Sequence, residues 1–305
     1  MKTPFFKPID CFSRSLLLKF PLPHPSKAGW PWVEESNSFS ALMPNGKPWP
    51  KISIVTPSYN QGEFLEETIR SVLLQNYPNL EYIIMDGGST DDSLDIIKKY
   101  EPWLAHWQSS RDNGQVDAIN KGFLLAEGSI LGWLNSDDIY CDRVFQRIAF
   151  LDWHKTDFCY GKGMWFSRRS KDICLYPTFA PSIYTLKYQC TLCQPTVFFT
   201  RNVFIDIGVL PFNFYCAFDY EYWIKAVFGK KKFKFVPYIL AKSRMYSQNK
   251  SLSCRNSVLD EIVALKCKYY SGFRLNLVLD LFFRITIHRY TIIKTKFLIN
   301  KLREL

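Results

Sequence analysis

Between Lys51 and Asp138 four apolar, strand-like runs are separated by amphipathic stretches, and the runs end in polar clusters. Ile52–Thr56 reads as a short buried strand, closed by Pro57 and polar residues. Leu65, Ile69, Val72 and Leu73 follow at helical spacing, and a second strand, Leu80–Met85, leads into the turn Asp86–Asp92. Leu94, Ile96 and Ile97 open a second helix, whose Asp-rich start suits the positive end of a helix dipole. Leu104–Ser109 is a third strand and Val116–Ala126 a third helix, with Val116, Ile119 and Phe123 on one face. Ile130–Leu134 is a fourth strand that runs straight into Asn135, Ser136, Asp137 and Asp138. Such alternation builds an α/β fold with a mainly parallel open sheet flanked by helices and right-handed crossovers.

The flanking segments follow other rules. Residues 1–50 hold nine of the 17 prolines, which denies them long helices or central strands. They form a proline-rich N-terminal arm that either lies on the domain or hangs free. Beyond residue 150 the rhythm loosens, and Asp152–Gln189 mixes aromatics, basic residues and turns without a clear period. Thr196–Thr200 fits a strand, while Asp219–Phe228 and Leu252–Tyr270 fit helices. The expected division is 51–150, 151–250 and a helical, basic C-terminal tail over 251–305.

Net charge is +11, but the last forty residues alone carry nine Lys and Arg against two acidic residues. A global nucleic-acid-binding field is therefore not expected, and the basic excess belongs to the tail. That tail is also apolar, which suits either a contact with an anionic membrane surface or an ordinary docked helix with solvated lysines. Asp280, Arg284 and Arg289 interrupt its most apolar stretch, so no membrane span is expected. No secretion signal is read: Leu16–Leu18 is too short and is followed by Pro21, Pro23 and Pro25. The expected location is cytoplasmic, with a peripheral placement on the inner membrane face left open. Nine scattered cysteines with one CxxC, Cys190 to Cys193, suit reduced thiols better than a disulfide frame or a zinc site. Aromatics make up 17% of the chain and serve either the core or ligand contacts.

Open parallel sheets bind ligands past the carboxyl ends of their strands. Here those positions hold Thr56, Ser58, Tyr59 and Asn60, then Asp86, then Arg111–Gln115, then Asp137 and Asp138. Four carboxylates at one sheet edge repel unless a cation relieves them, and a divalent metal carrying a phosphate ligand would do so. Neither GxGxxG after the first strand nor GxxxxGK[ST] occurs, which argues against dinucleotide oxidoreductases and P-loop enzymes. The four histidines lack zinc-ligand spacing, whereas Asp137 and Asp138 offer the hard oxygens that suit Mg²⁺ or Mn²⁺. The competing reading of that pair is a plain surface turn.

The runs Ile52–Asn60 (ISIVTPSYN), Asp86–Asp91 (DGGSTD), Gly114-Gln115 with Asp117–Gly122 (DAINKG) and Leu134–Asp138 (LNSDD) resemble the family 2 glycosyltransferases in order and spacing. Gln194-Pro195-Thr196 and Phe218–Trp223 (FDYEYW) extend the resemblance, which covers about Lys51 to Ser251. It implies a GT-A fold with a nucleotide-sugar half over 51–150 and an acceptor half over 151–250. It also implies polysaccharide biosynthesis chemistry: transfer of a sugar, with inversion, from a nucleoside-diphosphate donor to a glycan or lipid-linked acceptor. By the same resemblance Thr56, Pro57 and Tyr59 would pack on the nucleoside, and Asp86 would accept a base N–H, such as the uracil imide of a UDP-sugar. Asp112 and Gln115 would close over the nucleotide, Asp138 would ligate Mn²⁺ or Mg²⁺, and Asp137 would hold the ribose or share the metal.

Displacement at an anomeric carbon needs a base for the acceptor hydroxyl. Asp219 is the best-placed carboxylate and matches the family's base position, with a bare helix N-cap as the alternative. Glu221, two residues on, is expected to point away from Asp219's face. Two departures stand out. Asn135 occupies a site where many members have aspartate, and Tyr246 sits where many have histidine. Arg244 and Lys250 are expected to neutralise the diphosphate as fixed cations instead. A non-catalytic nucleotide- or glycan-binding relative, serving as an assembly partner, is the alternative; retention of both Asp138 and Asp219 favours the enzyme.

Overall fold

The computed structural model describes residues 15–167 and 174–270. The elements in chain order are β1 (Ile52–Ser58), α1 (Gly62–Leu73), β2 (Leu80–Asp86), α2 (Ser93–Tyr100), β3 (His106–Ser109), α3 (Gln115–Leu125) and β4 (Ile130–Trp133). They continue with β5 (Ile139–Tyr140), α4 (Val144–Ala149), β6 (Phe158–Phe166), β7 (Cys174–Leu175), α5 (Ile183–Tyr188), β8 (Phe198–Thr200) and α6 (Arg201–Ile207). The last are α7 (Phe218–Phe228), β9 (Phe233–Arg244), α8 (Lys250–Ser253) and α9 (Arg255–Tyr269).

One sheet runs β3-β2-β1-β4-β8-β6-β9-β5, with β7 paired to β6. Its first four strands are parallel, as the alternating pattern predicts, and the order reverses between β1 and β4. Past β4 the sheet becomes mixed: β8 is antiparallel to both β4 and β6, while β9 runs parallel to β6. β1 and β2 are buried at every position, so alternation is lost there and apolar residues fill both faces. One core contains residues of α1, α4 and the arm, and the other contains residues of α3, α6, α7 and α9.

Aromatics fill much of both cores. Trp133 stacks on Trp223 at 5.5 Å, and Phe158 on Phe233 at 4.6 Å. The irregular stretch after Asp152 contains β6, and β9 was not expected at all. Pro237 lies in β9 where its register against β6 shifts, between the pairs Gly161–Val236 and Lys162–Ile239. Gly163 lets β6 pass close to the CxxC segment: a Cβ there would come within 2.2 Å of the Cys193 sulfur.

The described part of the arm lies on the domain. Leu16, Phe20, Trp32, Phe39 and Trp49 are buried. The Arg70 guanidinium on α1 is fully buried and donates to the carbonyls of Pro21, Pro31 and Trp32 and to the Tyr100 hydroxyl. Trp30 Nε1 reaches the Tyr140 carbonyl at 2.8 Å, and Asn76 and Asn79 hold the carbonyls of Ser36 and Trp49. Among the described residues no helix is long and apolar enough to cross a membrane. The basic tail beyond residue 270 lies outside the described residues.

Candidate active site

Past the carboxyl ends of β1–β4, at the reversal of strand order, lies a cleft of about 1030 Å³. Pro57 and Tyr59 from β1 and its loop line it, as do Arg111, Asp112 and Gln115 from the β3–α3 connection and Asn135, Asp137 and Asp138 after β4. The second half of the chain adds Trp165, Tyr176, Gln194, Tyr215, Asp219, Tyr246 and Lys250.

The loops after β1 and β2 are knitted together. Asn60, at φ +51°, accepts from Thr90 N at 2.8 Å, and its own amide donates to Ser89 Oγ. Asp91 accepts from Gly62 N, at the start of α1, at 2.8 Å. Asp86 is buried, with Oδ2 accepting from the amides of Gly88 and Ser89 and from Ser109 Oγ, and Oδ1 from Ser89 Oγ. It does not line the cleft, because its oxygens organise the loop. Thr56 is likewise fully buried, with its hydroxyl 3.0 Å from that of Tyr82, and does not line the cleft. Strand alternation sends that side chain into the core, away from the cleft where the nucleoside is expected. Gly87 and Gly88 let the β3 loop approach: a Cβ on Gly87 would sit 3.1 Å from the Asp112 carboxylate. One Asp112 oxygen accepts from Gly114 N at 2.8 Å, and Gly114, at φ +97°, starts α3.

At the floor of the cleft lie Asp137 and Asp138. Burial raises the proton affinity of both carboxyls, and the Asp137 charge raises that of Asp138 further. Asp138 accepts from the Arg244 amide at 3.0 Å and from Asn135 Nδ2 at 3.3 Å. Asp137 accepts from the Tyr246 hydroxyl at 3.0 Å. Asn135 also donates to Gln194 Oε1 and accepts from Gln115 Nε2, and Gln194 Nε2 donates to the Trp133 carbonyl. An aspartate at position 135 could not donate in this chain and would crowd a third carboxylate onto the pair. Among the described residues no cluster of three or more His, Cys, Asp or Glu is poised to hold a metal. Two adjacent hard-oxygen donors at a cleft floor, their charged forms disfavoured by burial, fit a divalent ion that completes its shell with phosphate oxygens and water.

Arg244 does not serve as a free cation. Its guanidinium pairs with Glu67 at 2.8 Å, donates to the Asp137 carbonyl, and lies between the rings of Phe64 and Phe166 at 4.7 and 4.5 Å. It is 4% exposed and does not line the cleft where a diphosphate is expected. Lys250 does line the cleft, donating to Gln115 Oε1 at 2.9 Å with its ammonium 3.7 Å from the Tyr215 ring centre.

Asp219 lies in the first turn of α7, whose N-cap is Ala217, so it is not the N-cap. It faces the cleft among Cys190, Cys193, Cys216 and Lys250. Burial pushes its carboxyl up to about 6, held there against further rise by the Tyr220 amide and the Lys250 charge. Glu221 points away, fully buried, and accepts from Lys268 Nζ at 2.7 Å and the Tyr269 hydroxyl at 2.8 Å. The Cys190 and Cys193 thiols are pushed up by burial and form no disulfide.

Sequence reasoning missed the cleft residues Gln61, Trp165, Tyr176 and Tyr215. The Gln-Pro-Thr run flagged Gln194 without a role, while the others carry no local pattern that marks them.

The family model for glycosyl transferase family 2 matches residues 53–207, which span β1 to α6. An uncharacterized glycosyltransferase of Mycobacterium tuberculosis is 30% identical over 188 residues, covering 58% of this chain and 69% of the relative. Among solved structures, Staphylococcus aureus TarS 1-349 in complex with UDP-GlcNAc aligns with a TM-score of 0.54 at 21% identity, over 67% of this chain and 60% of that one. A mannosyltransferase from Pyrobaculum calidifontis, solved with GDP-Man and Mn²⁺, aligns with a TM-score of 0.55 at 17% identity, over 73% and 67%. The parallel half-sheet, the loops at its carboxyl ends and the family match fall on the same residues, and the chain belongs to glycosyltransferase family 2, built on a GT-A fold.

Proposed function

We propose that this chain is an inverting glycosyltransferase that takes a sugar from a nucleoside-diphosphate donor, a UDP-sugar in the first instance, to a glycan or lipid-linked acceptor. The observation that carries the reading is that Asp219 opens on the same cleft as Asp137 and Asp138. A general base and a site for the leaving diphosphate are thereby held in one cavity, as a single in-line displacement requires.

Pro57 and Tyr59 would wall the nucleoside. Asp86 is engaged within its own loop, so Asp112, with an oxygen beyond its bond to Gly114, is the better partner for a base N–H. Asp138 and Asp137 would hold Mn²⁺ or Mg²⁺, which when bound neutralises charge on the leaving diphosphate. Lys250 and Arg111 supply positive charge from the protein itself. Asp219, ionised above about pH 6, takes the acceptor hydroxyl proton as that oxygen attacks the anomeric carbon. The cytoplasmic and membrane-peripheral placement is part of this proposal and rests on the basic tail.

Calorimetric titration of UDP, GDP and dTDP, with and without Mn²⁺, on wild type and Asp138→Asn tests the donor site. UDP binding that needs Mn²⁺ and is lost in the variant supports the reading. Preference for GDP or dTDP changes the donor, and no nucleotide binding under any condition overturns the enzyme in favour of a non-catalytic relative.

A further inference from the structure

Helix α7 carries Asp219, yet its N-cap position is Ala217, which has no side chain able to cap. The cap comes from elsewhere. The Glu261 carboxylate, on α9, accepts from the amides of Tyr215, Cys216 and Ala217 at 2.9, 2.8 and 2.9 Å. Three amides converging on one carboxylate fix the turn just ahead of α7, and a negative charge at that end also suits the helix dipole. The same turn carries Tyr215, whose ring lies 3.7 Å from the Lys250 ammonium.

α9 grips the acceptor half at further points. Lys268 and Tyr269 hold the buried Glu221 carboxylate within the first turn of α7. Lys266, itself buried, donates to the Tyr188 carbonyl at 2.7 Å, at the end of α5. The family match ends at residue 207, so of the residues that make these holds only Tyr188 lies in the matched segment.

We propose that Glu261 is the positioning residue for Asp219: a cap supplied from a distant helix that sets where the base meets the acceptor. The inference rests on the reading of Asp219 as the base. Glu261 does not touch the reacting atoms; it acts through the backbone of residues 215–217. Loosening that turn displaces Asp219 and the seat of Lys250 together, while the floor at Asp137 and Asp138, built on β4 and β9, stays in place.

The test compares full-length wild type, Glu261→Ala, Glu261→Gln and Asp219→Asn. Hydrogen exchange followed by mass spectrometry reads the amides of 215–217, and release of nucleoside diphosphate from UDP-glucose, UDP-GlcNAc and GDP-mannose reads turnover. In Glu261→Ala those amides exchange faster, and kcat falls roughly 10- to 100-fold with the donor KM within about twofold, since a displacement of about 1 Å suffices for such a loss. Glu261→Gln keeps one acceptor oxygen and recovers part of both. Faster exchange with unchanged kcat makes Glu261 a stability residue only and overturns the proposal, as does unchanged exchange. If Asp219→Asn turns over like wild type, the base assignment fails first and takes the proposal with it, whatever the exchange data show.

Discussion

The hydroxyl of Tyr246 donates to Oδ2 of Asp137 at 3.0 Å, across 109 residues of sequence. Tyrosine is a weak ligand for a hard divalent ion, but its hydrogen bond favours the ionised form of a carboxyl whose proton affinity burial raises. Tyr246→Phe removes that donor, so the Asp137 proton affinity rises further. A metal held there, as proposed, would then have to displace a proton more often. Mn²⁺-dependent nucleotide binding should weaken several-fold at pH 6.5 and less at pH 8, as read by calorimetry at both values. Equal weakening at the two pH values would count against this role.

With Asp219 as the proposed base, Lys250 should set the acid limb of the reaction. Its charge is one of the influences that lower the Asp219 carboxyl, which burial alone would place above its value of about 6. Lys250→Met removes the charge while keeping most of the stem. Because the proposed base would work ionised, the kcat profile should rise at higher pH in the variant, by roughly half a unit to one unit. The measurement is nucleoside diphosphate release between pH 5 and 8 at saturating donor. An unshifted limb would separate Lys250 from Asp219.

Asp219 should also cost the fold stability. A carboxyl raised from 3.8 to about 6 binds its proton more tightly in the folded state. Between those values the folded chain holds more protons than the unfolded one, so stability falls as pH rises through about 6. Asp219→Asn removes that penalty. It should abolish transfer yet raise stability at pH 7.5 by about 1–2 kcal/mol, with the gain vanishing below pH 4. Urea melts at the two pH values check the sign.

The legible parts share a cause. β1, β2 and β4 are continuous apolar runs between breakers, and their polar ends fall where an open parallel sheet puts its ligands. That placement alone brings Asp112, Gln115, Asp137 and Asp138 to one cleft. β9 was hidden because Pro237 interrupts it and Lys234 and Lys242 break its apolar run, while a register shift against β6 accommodates the proline. The setting of Arg244 is hidden for a longer-range reason: Glu67, its counter-ion on α1, lies 177 residues away. Asp86 sits at a strand end like Asp112, but whether a carboxylate faces a ligand or its own loop depends on backbone amides that no residue pattern reports. Glu261 is the extreme case, since a cap delivered from another helix leaves no trace beside the helix it caps.

Arg70 ties the arm to the domain, and its removal should show how much the arm matters. The guanidinium is fully buried, and among the described contacts its partners are three arm carbonyls and the Tyr100 hydroxyl, with Phe20 and Trp32 rings at 5.3 and 5.5 Å. Arg70→Met keeps the volume but leaves those carbonyls without their donor, so the loss is about 3–5 kcal/mol, typical for breaking a buried charged network from one side. The damage should be local at first. Trypsin should cut after Lys19 and Lys27 well before the sheet opens, while nucleotide binding at the cleft, which the arm does not line, persists below the melting temperature. Arg70→Lys should recover little, because one ammonium cannot reproduce the planar fork that reaches Pro21, Pro31 and Trp32 together. If the variant melts like wild type and resists trypsin equally, the apolar contacts of Leu16, Phe20 and Trp32 are enough to hold the arm, and Arg70 is not its anchor.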